Sequence, residues 1–354
     1  MNSNGHCTLS TRDLAIGYPR RHTSPVVVAE SLELALNRGE FVCLLGPNGA
    51  GKSTLIRTLV GMQPALSGEV SLQGNCLHRM DARQLARRLS VVLTERVSLG
   101  SMTAYAVAAL GRHPHTNWLG RLTPADERIV HDSLAAAGAT ALANRFIGEL
   151  SDGERQKVMV ARALAQEPEA MVLDEPTAFL DLPRRVELMR LLRRLAHETG
   201  KAILCSTHDL DLALRCADRV WLMTKDGTFH AGAPEDLVLN GTFAEAFGAD
   251  GIEFDAMAGS FLVHSPHGGK AELQGDGVTA VWTRRALERA GFEVVGPSSG
   301  RVAARVTAVA EPATGASEWQ WSSGQGTLRV RSLAELVDVA RAFVEKNQTG
   351  RSER

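Results

Sequence analysis

Gly46-Pro47-Asn48-Gly49-Ala50-Gly51-Lys52-Ser53-Thr54 fits the pattern G-x-x-x-x-G-K-[ST]. Its neighbours place it where that pattern works. Phe41-Val42-Cys43-Leu44-Leu45 reads as a short buried strand, and residues 54–60 read as a helix. Glycines at 46, 49 and 51 let the backbone turn tightly enough for successive N–H groups to face one anion. The helix that follows adds its own unpaired N–H groups and the positive end of its dipole. Lys52 is placed to reach β- and γ-phosphates, and Ser53 to offer a hydroxyl to Mg²⁺. A glycine-rich turn with a solvated lysine is the plain alternative, but it leaves the strand–loop–helix arrangement unexplained.

Working outward, 354 residues suggest two domains, and a hydrophobic fraction of 44% supplies sizeable cores. A net charge of -1 makes no electrostatic case for nucleic acid as a partner. The odd, scattered cysteines Cys7, Cys43, Cys76, Cys205 and Cys216 read as small hydrophobes in a reducing compartment. The N-terminus is polar and no stretch approaches a membrane span, so work at a membrane is expected from its cytosolic face.

Along the chain, strand-like runs precede the loop, ending with the alternating Leu32-Glu33-Leu34-Ala35-Leu36. Tyr18 closes the first strand; its ring either stacks on a flat base or covers core, and chemistry alone leaves both open. The strand Leu89–Leu93 ends at Thr94-Glu95, and from Ser98 the period turns helical. Ser151 and Glu154 have capping-box spacing at the start of a helix reaching Gln166, and Gly153 frees backbone for close approach to something. Met171-Val172-Leu173 is a strand buried on both faces that delivers Asp174 and Glu175. If this strand neighbours the one before the loop, those acids lie beside the phosphates: Asp174 for Mg²⁺ through water, Glu175 to polarise the attacking water. A further strand, Ala202–Ser206, brings His208 to the same edge, within reach of a γ-phosphate.

These blocks, in this order and with Thr177, Leu180-Asp181 and Thr207-His208-Asp209, resemble the ATP-binding subunit of ATP-binding-cassette (ABC) transporters over roughly residues 8–248. The resemblance implies an α/β P-loop NTPase cassette with a helical subdomain at about 98–155, and ATP and Mg²⁺ as ligands. It also implies a head-to-tail homodimer in which each ATP lies between one copy's phosphate loop (Gly46 to Thr54, with Pro47, Asn48 and Ala50) and the other's signature segment. By the same match Ser151 and Gly153 touch the γ-phosphate bound opposite, Asp181 lies at the seam, His208 is the switch histidine and Tyr18 stacks on adenine. Leu110-Gly111-Arg112-His113-Pro114-His115 and Ala161–Gln166 resemble the branch serving iron-siderophore, haem and cobalamin uptake. That branch implies transmembrane permease subunits as partners, a periplasmic or surface substrate-binding protein acting indirectly, and a peripheral place on the cytoplasmic face of the membrane.

Two positions depart from the family. Thr94 stands where a Gln usually contacts Mg²⁺ and the attacking water; Thr94 is kept as a nucleotide contact, and coupling of the transmembrane partner to ATP is expected to run through Thr94 or Glu95 with altered geometry. Asp152-Gly153-Glu154 stands where Gly-Gly-Gln is usual; a carboxylate beside a γ-phosphate is repulsive, so Asp152 is expected to face solvent and Glu154 to serve the capping box. Residues 250–345 read as a small α+β accessory domain that regulates or dimerises, with Gly275-Asp276-Gly277 an anion nest or a plain turn, and 346–354 as a disordered tail. The reading is thus an importer ATPase; a soluble cassette ATPase without a transporter, or an ATP-gated scaffold with little turnover, are the rivals.

Overall fold

The computed structural model describes residues 7–20, 24–93, 101–248, 252–256, 260–263, 268–297, 302–310 and 317–352. The chain divides into two compact units, Met1–Phe247 and Gly248–Arg354.

In the first unit, β1 (Cys7–Tyr18), β2 (Val26–Leu32) and β3 (Ala35–Asn37) lead to β4 (Phe41–Leu45), the loop and α1 (Lys52–Leu59). β5 (Ser67–Leu72), β6 (Asn75–Cys76), α2 (Ala82–Arg88) and β7 (Leu89–Val92) follow. The helical insertion holds α3 (Ala104–Ala109), α4 (Pro124–Ala136) and α5 (Asp152–Ala165). The chain then alternates through β8 (Ala170–Leu173), α6 (Leu182–Thr199), β9 (Ala202–Ser206), α7 (Leu210–Cys216), β10 (Arg219–Met223) and β11 (Phe229–Gly232). It closes with α8 (Pro234–Leu239) and α9 (Thr242–Phe247).

Two sheets organise this unit. One is an antiparallel set built on β1, with β2, β3 and β5 paired to it. The other runs β11-β10-β4-β9-β8-β7, parallel except at β11. Its strands β4, β8 and β9 are buried at every position, as a sheet covered on both faces demands. Each large aliphatic side chain so enclosed contributes roughly 1.5–3 kcal/mol of burial energy.

The alternation over 32–36 predicts burial correctly, since Leu32, Leu34 and Leu36 are all in the core. It does not make one strand, because Thr11 interrupts the ladder. Its hydroxyl donates to the Leu32 carbonyl (2.6 Å) and accepts from the Leu34 N–H (2.9 Å), so β2 ends and β3 begins around it.

In the second unit, β12 (Ile252–Asp255) pairs with β13 (Ser260–Val263). β14 (Lys270–Gln274), α10 (Gly277–Arg289), β15 (Glu293–Val295), β16 (Ala304–Ala310), β17 (Ser317–Ser323), β18 (Gly326–Val330) and α11 (Leu333–Ser352) follow. The sheet order is β15-β14-β16-β17-β18, with a core of Leu273, Leu287, Trp319, Trp321 and Leu336 beside its helices. Gly275 and Gly277 take positive φ in the turn into α10, and the Asp276 side chain makes no capping bond there. α11 extends to Ser352, into the 346–354 stretch expected as a tail. A helix nucleated by a packed amphipathic stretch extends at little cost per residue. Among the described residues no helix is long and apolar enough to cross a membrane.

Candidate nucleotide site

The loop after β4 is held by its glycines. At Gly46 (φ 153°) a Cβ would lie 2.3 Å from the Met223 carbonyl oxygen, and at Gly51 (φ 104°) 2.2 Å from Val28 Cγ1. Gly49 (φ 82°) has nothing within 4 Å, so conformation alone asks for glycine there. Lys52 opens α1 and is only 6% exposed; its ammonium donates to the carbonyls of Gly46 (2.7 Å) and Pro47 (3.1 Å). Burial pulls its pKa below the ordinary lysine value, while the Glu175 and Asp174 carboxylates act against that fall. The charge therefore sits inside the loop, held by its carbonyl oxygens.

A cavity of about 310 Å³ opens over this loop, lined by Tyr18, Val28, Asn48, Gly49, the stretch Gly51–Thr54, Glu175 and His208. Tyr18 is half exposed, and its hydroxyl shares a hydrogen bond of 2.8 Å with the Thr54 hydroxyl. His208 Nε2 is in contact with Glu175 Oε1. Glu175 itself takes φ +48°, uncommon for a residue with a side chain and suggestive of an imposed geometry.

The acids reach this edge by a different route from the one expected. β8 is not the neighbour of β4; β9 lies between them. The intervening strand delivers a residue that sequence reasoning missed. Ser206 Oγ donates to Asp174 Oδ1 (2.7 Å) and accepts from the Glu175 N–H (2.8 Å), fixing both acids from the central strand. The available signal was a serine ending an apolar run directly before Thr207-His208.

The signature residues form a second cluster, outside the cavity lining. Ser151 caps α5 in a reciprocal box with Glu154: the Glu154 N–H reaches Ser151 Oγ (3.3 Å) and the Ser151 N–H reaches Glu154 Oε2 (2.9 Å). These bonds, with Arg145 at 3.1 Å, hold the Glu154 carboxyl below the usual carboxylate pKa. Asp152 does not simply face solvent; it pairs with Arg155 at 3.1 Å, one turn along α5. Asp181 caps α6, accepting from the Arg184 N–H at 3.0 Å. Gly153 packs under the Arg184 side chain, whose Cδ would lie 3.2 Å from a Cβ placed there. Thr94 and Glu95 lie outside the described residues.

The 110–116 segment is a fastening within the unit. Arg112, buried, donates to Asp126 (2.9 Å), Glu167 (2.7 Å) and the Ala165 carbonyl (2.8 Å). His115 Nε2 meets the Gln166 carbonyl at 3.0 Å, and Arg83 and Arg87 of α2 each donate to the Pro114 carbonyl at 2.9 Å. His115 is thus engaged by the end of α5.

Comparison with known proteins agrees with this geometry. A family model described as ABC transporter matches residues 29–178, and one described as iron ABC transporter C-terminal domain matches residues 268–339. The chain is 43% identical over 253 residues to an ABC transporter ATP-binding protein of Methanocaldococcus jannaschii, covering 72% of this chain and 86% of that one. It is 34% identical over 243 residues to the iron(3+)-hydroxamate import ATP-binding protein of Bacillus subtilis, covering 69% and 88%. The solved dimeric structure of a bacterial ABC transporter cassette matches with a TM-score of 0.55 at 25% identity, covering 64% of this chain and 98% of that one.

The chain belongs to the ATP-binding subunits of ABC transporters, and the expected α/β cassette with an added C-terminal domain is its fold. It is an ATPase that binds adenine nucleotide, and the domain appended to it is of the iron-transporter kind.

Proposed function

We propose that this ATPase drives import of a chelated-iron or cobalamin-type cargo, as a head-to-tail dimer docked on transmembrane permease subunits at the cytoplasmic face of the membrane. A periplasmic or surface binding protein would deliver the cargo. The observation that carries the reading is the single cavity uniting the phosphate loop with Glu175, His208 and Tyr18. The names of the relatives and the C-terminal family match support the cargo class.

In this reading residues 1–249 are the motor and the following unit an accessory domain. The loop N–H groups and Lys52 hold the β- and γ-phosphates, and Tyr18 stacks on adenine. Ser53 and Asp174 offer a hydroxyl and a carboxylate, hard oxygen donors that suit Mg²⁺ completed by phosphate and water. Bound Mg²⁺ would neutralise charge on the phosphates. Glu175 orients the attacking water, and His208 holds the far side of the γ-phosphate. Ser151 and Gly153 of the second copy close the site, and Asp181 lies at the seam.

The test is the purified subunit with its permease in proteoliposomes, assayed for ATP hydrolysis and uptake of iron hydroxamates, haem and cobalamin. Glu175→Gln should bind ATP but lose turnover by about 10²-fold or more. Unchanged hydrolysis in that variant would remove Glu175 from the mechanism, and uptake of none of the three cargoes would overturn the cargo class.

A further inference from the structure

The signature segment of this chain carries two carboxylates, Asp152 and Glu154, on a surface that must meet an anion. Both are drawn aside by the chain's own arginines, Asp152 by Arg155 and Glu154 by Arg145. Such pairing cancels repulsion but supplies no attraction of its own. A third arginine differs from these two. Arg184 comes from another helix, the first turn of α6, and its aliphatic stem lies across Gly153, with Cδ and Cγ at 3.2 and 3.3 Å from where a Cβ would be. Asp181 fixes its backbone, Glu187 holds its Nη1 at 2.8 Å, and the side chain remains 51% exposed. Glu187 is shared with Lys157 at 2.5 Å, so one carboxylate anchors two cations beside Gly153.

We propose that Arg184 is a γ-phosphate contact acting in trans: its guanidinium, carried beside Ser151 and Gly153, binds the terminal phosphate of the nucleotide held by the second copy's loop. This rests on the head-to-tail reading above. An arginine is suited to the task because it stays charged and presents several donors to phosphate oxygens in one plane. The absence of a side chain at Gly153 also lets the arginine stem lie this close, since a Cβ there would press it back by a few tenths of an ångström.

The test uses the full chain. In a Glu175→Gln background, dimer formation is measured by sedimentation with ATP, with ADP and without nucleotide, and ATP binding to the monomer by fluorescence titration. Arg184→Gln should weaken the ATP-dependent dimer by about 10- to 100-fold, the size of one lost charge-assisted contact, while monomer ATP affinity stays put. Arg184→Lys should recover part of the loss, which separates charge from folding. A mixing experiment fixes the direction. With Glu175 intact in both, Lys52→Ala copies, unable to cradle ATP, still carry Arg184; mixed with Arg184→Gln copies, they should restore turnover above either variant alone. No restoration, with the ATP dimer intact in the parent, places any effect of Arg184 in its own copy and overturns the proposal. An unaltered dimer constant in Arg184→Gln does the same. If the Glu175→Gln parent itself fails to dimerise with ATP, the head-to-tail reading falls first and this inference with it.

Discussion

At the strand ends, Lys52 is almost enclosed by its loop, and Ser206 ties Asp174 to the backbone of Glu175 from the strand between them. At the signature end, Ser151, Asp152 and Glu154 lie near the surface, held by a helix cap and by arginines reaching over from neighbouring turns. The first region is set by a sheet buried on both faces, so its geometry comes with the core. The second is set by local hydrogen bonds and by how the helical insertion stands on the core. The first cluster is therefore fixed by the buried sheet, and the second, on the head-to-tail reading proposed above, is the more easily adjusted of the two.

The largest expected effect breaks the rigid half. Gly51→Ala forces a Cβ to within 2.2 Å of Val28 Cγ1 at a φ of 104°, so the loop must shift. We expect ATP binding to fall by more than about 10²-fold, whereas Gly49→Ala, with open space around it, should cost only backbone strain of about 1–2 kcal/mol. Fluorescence titration of both variants decides the matter. Equal losses would mean that loop conformation, not its packing on β10 and β2, governs the site.

A smaller effect tests whether β9 positions the acids. Ser206→Ala leaves the Asp174 carboxylate and the Glu175 N–H each short of a partner. A lost hydrogen bond to a charged, partly buried group costs about 1.5–3 kcal/mol, so kcat should drop roughly tenfold and the Mg²⁺ concentration needed for half-maximal rate should rise. Because Ser206 acts only through the acids, KM for ATP should move little. A change in KM alone, with kcat and Mg²⁺ demand unmoved, would sink its positioning role.

The phosphate loop was legible because strand, loop and helix are contiguous, and three glycines with Lys-Ser state their geometry within nine residues. Sheet order was not, because which strand lies beside which is decided by crossover connections that leave no local pattern. Hence Ser206 went unread, although His208 two residues on was chosen. Asp152 shows a different failure: Arg155 stands three residues on, at helical pairing distance, so the ion pair was available to be read. Thr11 shows a third, since a single hydroxyl replacing ladder bonds reshapes two strands without disturbing the burial pattern. In each case burial followed from periodicity, and what escaped was a long-range or side-chain hydrogen bond.

The mildest prediction concerns what the adjustable half stands on. Asp126 in α4 accepts from the Thr123 hydroxyl (2.7 Å) and N–H (2.9 Å), and then from Arg112, which reaches on to the Ala165 carbonyl at the end of the signature helix. The Thr123 bonds first, and Arg112 after them, bring the Asp126 pKa down from 3.8 to about 2. A carboxyl whose pKa is lower in the folded than in the unfolded chain stabilises the fold when ionised. That contribution is complete above about pH 5, where the unfolded chain is also ionised, and is lost as pH falls towards about 2. Asp126→Asn should therefore lower stability at neutral pH by roughly 2 kcal/mol, seen as a lower melting temperature, and the gap to wild type should close as pH drops from about 5 to 2. Melting curves taken through that window, read by helix signal, test it. A gap that stays constant with pH would mean the helical insertion is held by packing alone, and the contrast between the two halves would rest on hydrogen bonds that carry no charge.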